Sequence, residues 1–434
     1  MSSEASSTPE QPRARTGFFA LVGPGLLVAA TGVGVGDLAT AGFAGAQLGL
    51  AVAWAVVVGA ALKLVLTENL ARHQIATGKT VLESAFGALG WWVWVPFGLY
   101  LLAWSYFVGA ALISANAAAA SALLGVEGMA WRAGLGIGIS VLGAAIVWIG
   151  GYRWFERVMG VCALVMVAVV VGAALMVGPD LAALLRGLII PSVPQSDGSG
   201  FTWTIALMGG VGGTLTIVCY GYWMRESGRA SAAQLRTIRW DIALGYGVTA
   251  LFGVAMLVVA SPLGTDGSGS ALILNLATSI GDEASMRFGD DAGAVARLVF
   301  LVGVMGAFFS SLLGVWQCVP LIFCDWLRAV PRRAADVSSR APIDERAPAY
   351  RGYLLALALV PIASLWADFR DVQKVYAIVG ALFVPALGLV LLFLNNRRHV
   401  GTRLRNGWGA NVLLTVSTLV VLALAAGEIV RRLG

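Results

Sequence analysis

The sequence predicts an all-α integral membrane protein of about eleven spans, two of them interrupted at their centres. Three observations predict it. First, 59% of the 434 residues are hydrophobic and only 12% are charged, where soluble domains carry about 25% charged residues. Long uncharged apolar runs recur from end to end, which excludes a soluble protein with one large core. Second, the basic residues are unevenly placed. With a cytoplasmic N-terminus, one side collects Arg72, Lys79, Arg225, Arg229, Arg236, Arg239 and most of the remainder, while Arg132, Arg186, Arg287, Arg297 and Arg370 fall on the other. The net charge of +6 therefore reports orientation in a cell membrane rather than nucleic-acid binding. Third, two apolar segments carry dense glycine at mid-length: Gly32, Gly34 and Gly36, and Gly209, Gly210, Gly212 and Gly213. Glycine costs roughly 0.8–1 kcal/mol per residue against alanine in a helix, so two such clusters suggest helices that break by design, the alternative being close helix-packing contacts.

In chain order, a polar cytoplasmic tail is expected over 1–16. Spans follow at 18–47, 48–67, 91–123, 131–150 and 158–177, then an outer loop over 178–202. A second set lies at 203–223, 241–260, 295–324, 352–367 and 373–394. A cytoplasmic loop and a final span at 409–430 close the chain over 395–434. The stretch 262–292 reads as an acidic outer loop, with Asp266, Asp282, Glu283, Asp290 and Asp291, and 328–350 as a charged cytoplasmic one. Cys162, Cys219, Cys318 and Cys324 sit in or beside apolar segments without a CxxC pair and read as buried small hydrophobes.

The breaks fall in the first and sixth spans. Five spans separate them, and an odd offset inverts the second unit relative to the first. Residues 17–177 and 203–394 thus read as inverted-topology repeats, whose breaks expose main-chain N–H and C=O groups where a carrier binds its cargo.

Gly23-Pro24-Gly25-Leu26-Leu27-Val28-Ala29, with Ala39-Thr40 and Gly45-Ala46-Gln47-Leu48-Gly49, resembles the first span of the Nramp family of metal-ion transporters. Ala71-Arg72, Thr77-Gly78-Lys79 and Glu83 resemble that family's stretch after span two; Arg186-Gly187 with Pro191 and Pro194, and Asp241 opening span seven, also match. The resemblance implies a leucine-transporter-like fold with five-plus-five inverted repeats, and proton-coupled symport of divalent metals. It also exposes departures. Gly34 stands where the family has its metal-binding aspartate, and Asp37 where it has an asparagine. Gly213-Thr214-Leu215 replaces Met-Pro-His, Ala377 aligns with a span-ten glutamine, and no acid lies between Trp92 and Leu124.

Ligand chemistry points the same way without the family. Manganese or iron import needs carboxylate, imidazole or thioether donors converging in the membrane, and the two histidines, His73 and His399, lie near cytoplasmic ends. Asp37 is the only acid close to either break, so it is the metal ligand if there is one. The candidate substrate-binding residues are Gly32, Gly34, Gly36, Asp37, Gly212, Gly213 and Thr214. Asp37 is also a candidate N-cap for the second half-helix. Lys63, inside span two, pairs with Asp37, replaces a coupling cation, or snorkels toward Glu68. Tyr220 is the candidate gate, and Tyr222 and Trp223 read as aromatic-belt residues.

The expected function is secondary transport of a metal or other inorganic cation with selectivity shifted away from transition metals. One alternative is a carrier of a small organic carboxylate or amino-acid-like zwitterion, suited by half-helix N-termini. The other is a non-transporting, receptor-like member; such relatives carry long soluble tails, whereas this chain ends at Gly434, just after its last span. No enzyme, cofactor, nucleic-acid or ATP function is expected: Gly78-Lys79-Thr80 has His73 where a phosphate-binding loop needs glycine. The partners are the lipid bilayer and the cargo.

Overall fold

A computed structural model describes residues 23–194, 199–229, 231–263, 269–330 and 343–433. The expected tail over 1–16 and the middle of the 328–350 connection lie outside the described residues. Among the described residues every regular element is a helix, and nine helical stretches are long and apolar enough to cross a membrane. The first of these, Pro24–Thr77, has 54 residues. Straight, it would run about 80 Å, far beyond a ~30 Å hydrocarbon core. It reverses at Gly49, whose φ of 63° and ψ of −150° suit only glycine, so it supplies spans 1 and 2.

Span 1 comprises 1a (Pro24–Gly32), a widened π-type turn (Val33–Ala39) and 1b (Thr40–Leu48). Pro24 sits in the first helical turn, where a missing N–H costs nothing. Span 2 is Ala53–Thr77 and span 3 is Trp91–Leu124. Between them, the short helix Val81–Leu89 opens on a reciprocal cap: Glu83 N–H donates to Thr80 Oγ1 at 3.0 Å and Thr80 N–H to Glu83 Oε2 at 2.7 Å. The Thr77-Gly78-Lys79…Glu83 motif is thus a helix stop and a helix start. Spans 4 and 5, Met129–Gly150 and Trp154–Val177, lie within one helical stretch.

Span 6 is split into 6a (Ser199–Gly210), a four-residue gap, a 3-10 turn (Leu215–Val218) and 6b (Cys219–Glu226). Span 7 is Leu235–Ala260, span 8 Asp290–Arg328, span 9 Pro348–Leu359 with a 3-10 extension to Trp366, span 10 Phe369–Asn395, and a last helix, Trp408–Leu433, lies where the final span is expected. Large apolar side chains such as Leu99, Ile149, Leu175, Leu251 and Leu298 are exposed around the bundle, as a lipid-facing surface requires.

Four expectations need correction. The acidic connection after span 7 carries a helix, Gly269–Phe288, whose Leu272, Leu276, Ile280 and Ala284 are buried at four-residue spacing. The loop over 178–202 likewise contains the helix Leu181–Ile189, and 6a begins within it. Tyr222 and Trp223 are buried, not at an interface: Tyr222 Oη donates to Asp325 Oδ2 at 2.5 Å and Trp223 Nε1 to Gln317 Oε1 at 2.8 Å. Finally, Cys219 and Cys318 are joined as a disulfide with Cα atoms 5.8 Å apart, fastening 6b to span 8, while Cys162 and Cys324 are free.

Candidate substrate site

The two breaks meet at the centre of the bundle. In span 1, Gly34 leaves helical geometry with φ −70° and ψ −110°. In span 6, Gly212 and Gly213 have φ of 76° and 85°, a left-handed conformation that other residues adopt only under strain. A Cβ on Gly32 would lie 2.9 Å from both Gly212 C and Gly213 N. The breaks therefore touch backbone to backbone, and glycine at 32 is what lets them. Gly36 faces Gly210 O and Tyr376 Oη, at 3.3 and 3.8 Å from its would-be Cβ.

A break strands main-chain groups, and each must find a partner in an apolar medium. At the end of 6a, Val211 N–H still donates to Leu207 O, and Gly213 N–H turns back to Gly210 O. That leaves the carbonyls of Met208, Gly209 and Val211 without a main-chain donor. Lys63, fully buried in span 2, takes all three: its Nζ donates to Met208 O at 3.2 Å, to Gly209 O at 2.7 Å and to Val211 O. The stranded amide of Gly212 donates to Asp37 Oδ1 at 2.8 Å. One peptide unit, Val211–Gly212, thus offers its C=O to Lys63 and its N–H to Asp37. Among the described residues the two side chains form no direct ion pair; they are coupled through that peptide. Lys63 neither snorkels nor meets Glu68, which pairs with Arg72 and Arg239.

On the span-1 side, the last carbonyls of 1a are met by span 8. Ser311 Oγ donates to Thr31 O at 2.6 Å, and Ser310 Oγ lies 3.3 Å from Ala30 O. Gly34 packs on this same turn of span 8, against Ser311 and Ala307.

Around the breaks, several buried oxygens have no partner: Asp37 Oδ2, Gln373 Oε1 and Thr216 Oγ1. Gln373 reaches the site from span 10, donating to Val35 O and Thr40 Oγ1, each at 3.0 Å. It lies one turn before Ala377, so the span-ten amide at the break is not at the position the resemblance suggested. Thr214 accepts from Trp104 Nε1 at 3.0 Å and hydrogen-bonds Tyr376. Tyr246, bonded to Thr67 Oγ1 at 2.7 Å, packs on Gly212. Gln373, Trp104, Tyr246 and Tyr376 were not marked by the sequence; a lone glutamine or aromatic in an apolar span is indistinguishable there from core. His73 is held by Asn395 and Ser84, each at 2.8 Å, and among the described residues no three His, Cys, Asp or Glu side chains cluster as a metal site.

Tyr220, the expected gate, lies below the break in a latch. Its Oη donates to Asp241 Oδ2 at 3.0 Å; the same oxygen accepts from Gly25 N–H at 2.8 Å and lies 3.1 Å from Arg229 Nη1. Asp241 thus holds a free N–H at the start of 1a, and Gly25 is needed because a Cβ there would strike the Asp241 main chain. The Gly23-Pro24-Gly25 and Asp241 features are two sides of one contact. Thr80 and Tyr222 on Asp325, and Arg225 on Glu83, close the same end of the bundle.

The fold is shared with known carriers. A manganese transporter of Eremococcus coleocola superposes with a TM-score of 0.74 at 15% identity, over 99% of this chain and 91% of that one. MhsT, solved with L-phenylalanine, matches at 0.59 and 16% identity, over 96% of this chain and all of the other. MHP1, a nucleobase-cation-symport-1 family transporter, matches at 0.52 and 15% identity, over 98% and 95%. The likeness is one of architecture: broken helices 1 and 6 in a leucine-transporter-like arrangement. The Nramp family profile, natural resistance-associated macrophage protein-like, matches residues 25–431. Spanning nearly the whole sequence, that match establishes that the chain belongs to the Nramp family, a family of membrane transporters rather than enzymes.

Proposed function

We propose that this protein is a secondary transporter of a metal or other inorganic cation, with selectivity shifted from the transition metals toward hard, partly hydrated cations such as Mg2+. The observation that carries the reading is the donor set at the breaks. Asp37 Oδ2, Gln373 Oε1 and Thr216 Oγ1 are buried oxygens without partners, and oxygen ligands suit hard cations. Such oxygens suit Mg2+, Ca2+ and Mn2+ alike, and a preference for Mn2+ or Fe2+ over Mg2+ calls for an added imidazole or thioether donor; His73 is engaged elsewhere. Lys63 adds to the shift. Its ammonium sits across one peptide unit from Asp37, offsetting the single carboxylate and disfavouring tight capture of a bare dication.

The alternative cargo, a carboxylate or zwitterion, would want a free cationic donor. Lys63 has three N–H groups, and all three are directed at the carbonyls of Met208, Gly209 and Val211. We assign the N-terminus to the cytoplasm, from the placement of basic residues, which makes the Asp241 latch the inner closure. Access alternates as the bundle around the breaks rocks against the rest.

Uptake into proteoliposomes tests this. Mg2+ flux at millimolar concentration, reduced at least tenfold in Asp37→Asn, is the expected result. Micromolar Mn2+ uptake that outcompetes Mg2+, or uptake of an amino-acid-like solute without cation transport, overturns it.

A further inference from the structure

At the end of the bundle opposite the described N-terminus, away from both breaks, lies a cavity of about 500 Å³. It is lined by the last turn of span 3, the turn into span 4, Leu274 of the connecting helix and Arg297 of span 8. Arg132, in the first turn of span 4, has its Nε and Nη2 buried without any acceptor, and Ser121 Oγ in the same cavity is also buried without a partner. A guanidinium is permanently charged, and leaving its donors unpaired out of water is costly. Among the described residues, neither Arg132 nor Arg297 has a carboxylate within ion-pair reach. Gly128 and Met129 also line the cavity, and span 4 begins there with no side-chain cap, so the helix start adds positive potential. Glu127 is the single acid in the lining; against two arginines it leaves a net positive pocket. Met129 of the lining and its chain neighbours Leu124 and Trp131 are exposed, the apolar and aromatic setting of a membrane interface.

We propose that this cavity is a binding site for a phosphate oxyanion, with Arg132 and Arg297 as the cationic arms and Ser121 as a further donor. Guanidinium forks match phosphate geometry, and the apolar rim suits a phosphodiester carried by a lipid. The site does not depend on which cargo the breaks carry.

Native mass spectrometry of delipidated protein with chain-matched phosphatidylglycerol and phosphatidylcholine tests the site, with inorganic phosphate in a thermal-shift arm. Phosphatidylglycerol should be retained at least tenfold better than phosphatidylcholine by the unaltered protein. That preference should fall at least fivefold in Arg132→Gln/Arg297→Gln and about threefold in Arg297→Gln alone, a change at an exposed position. Arg287→Gln, which removes the same charge from an arginine paired with Glu283, should leave it unchanged. Stabilisation by inorganic phosphate, lost in the Arg297 variant without any lipid preference, would assign the oxyanion to a free ion and support the site. Equal retention of both lipids together with no phosphate effect, or the same response from Arg287→Gln as from Arg297→Gln, overturns the proposal.

Discussion

Lys63→Met is the perturbation that bears hardest on the broken-helix architecture. Methionine keeps the length and apolar stem of the side chain and removes only the ammonium. Three carbonyls, of Met208, Gly209 and Val211, then lose their sole donor. A buried acceptor left unpaired costs about 1–3 kcal/mol, so independent losses would sum to roughly 3–9 kcal/mol. Relaxation of the break recovers part of this, and loss of one partner from a buried charged network typically costs about 3–5 kcal/mol. Thermal unfolding in detergent should show a midpoint lowered on the order of 5–10 °C. Because Asp37 sits on the other end of the same peptide, Lys63→Met/Asp37→Asn should be less destabilised than the two single changes added together, with a coupling of about 1–3 kcal/mol. Strict additivity, or a Lys63→Met midpoint within about 1 °C of the unaltered protein, would refute the idea that Lys63 caps the break.

Other substitutions separate the remaining parts. Gly32→Ala drives a methyl group onto the Gly212–Gly213 backbone; it should cost about 1–3 kcal/mol and abolish uptake, whereas Gly87→Ala, with open space at its Cβ, should be silent in both stability and flux. Asp241→Asn weakens the latch by about 1–3 kcal/mol, and hydrogen exchange over 24–32 should accelerate roughly tenfold; unchanged exchange would remove Asp241 as the clasp on 1a. Trp104→Phe deletes the donor to Thr214; a loss of about 0.5–1.5 kcal/mol should appear as a higher KM for the cation with little change in maximal flux.

Much of this was legible in the sequence because its physics is local. Dense glycine in a membrane-length run serves either a break or close helix packing, and both breaks lie where the clusters are. Asp37 and Lys63 stood out because charge is rare in such segments. Their relation was not legible: the adjacency of spans 1 and 2 brought them near one another, but only the fold shows that a peptide from a third helix lies between them. The helix Gly269–Phe288 was hidden by its acidic residues, although Leu272, Leu276 and Ile280 repeat with helical spacing. Tyr222 and Trp223 misled because amphipathic aromatics serve equally at an interface or in a core with polar partners. Cys219 and Cys318 are 99 residues apart, and nothing in their surroundings announces the pairing. Gln373 reaches the break from a position one helical turn off the expected register, a shift that hydropathy cannot detect.

The proposed role of Asp37 is to hold a hard cation between the two breaks. Thermal stability of purified protein titrated with Mg2+ and Mn2+, beside Asp37→Asn, tests it most directly. Stabilisation by millimolar Mg2+ that vanishes in the variant is the expected result, with no micromolar response to Mn2+. Micromolar stabilisation by Mn2+, or Mg2+ stabilisation that survives Asp37→Asn, would contradict it.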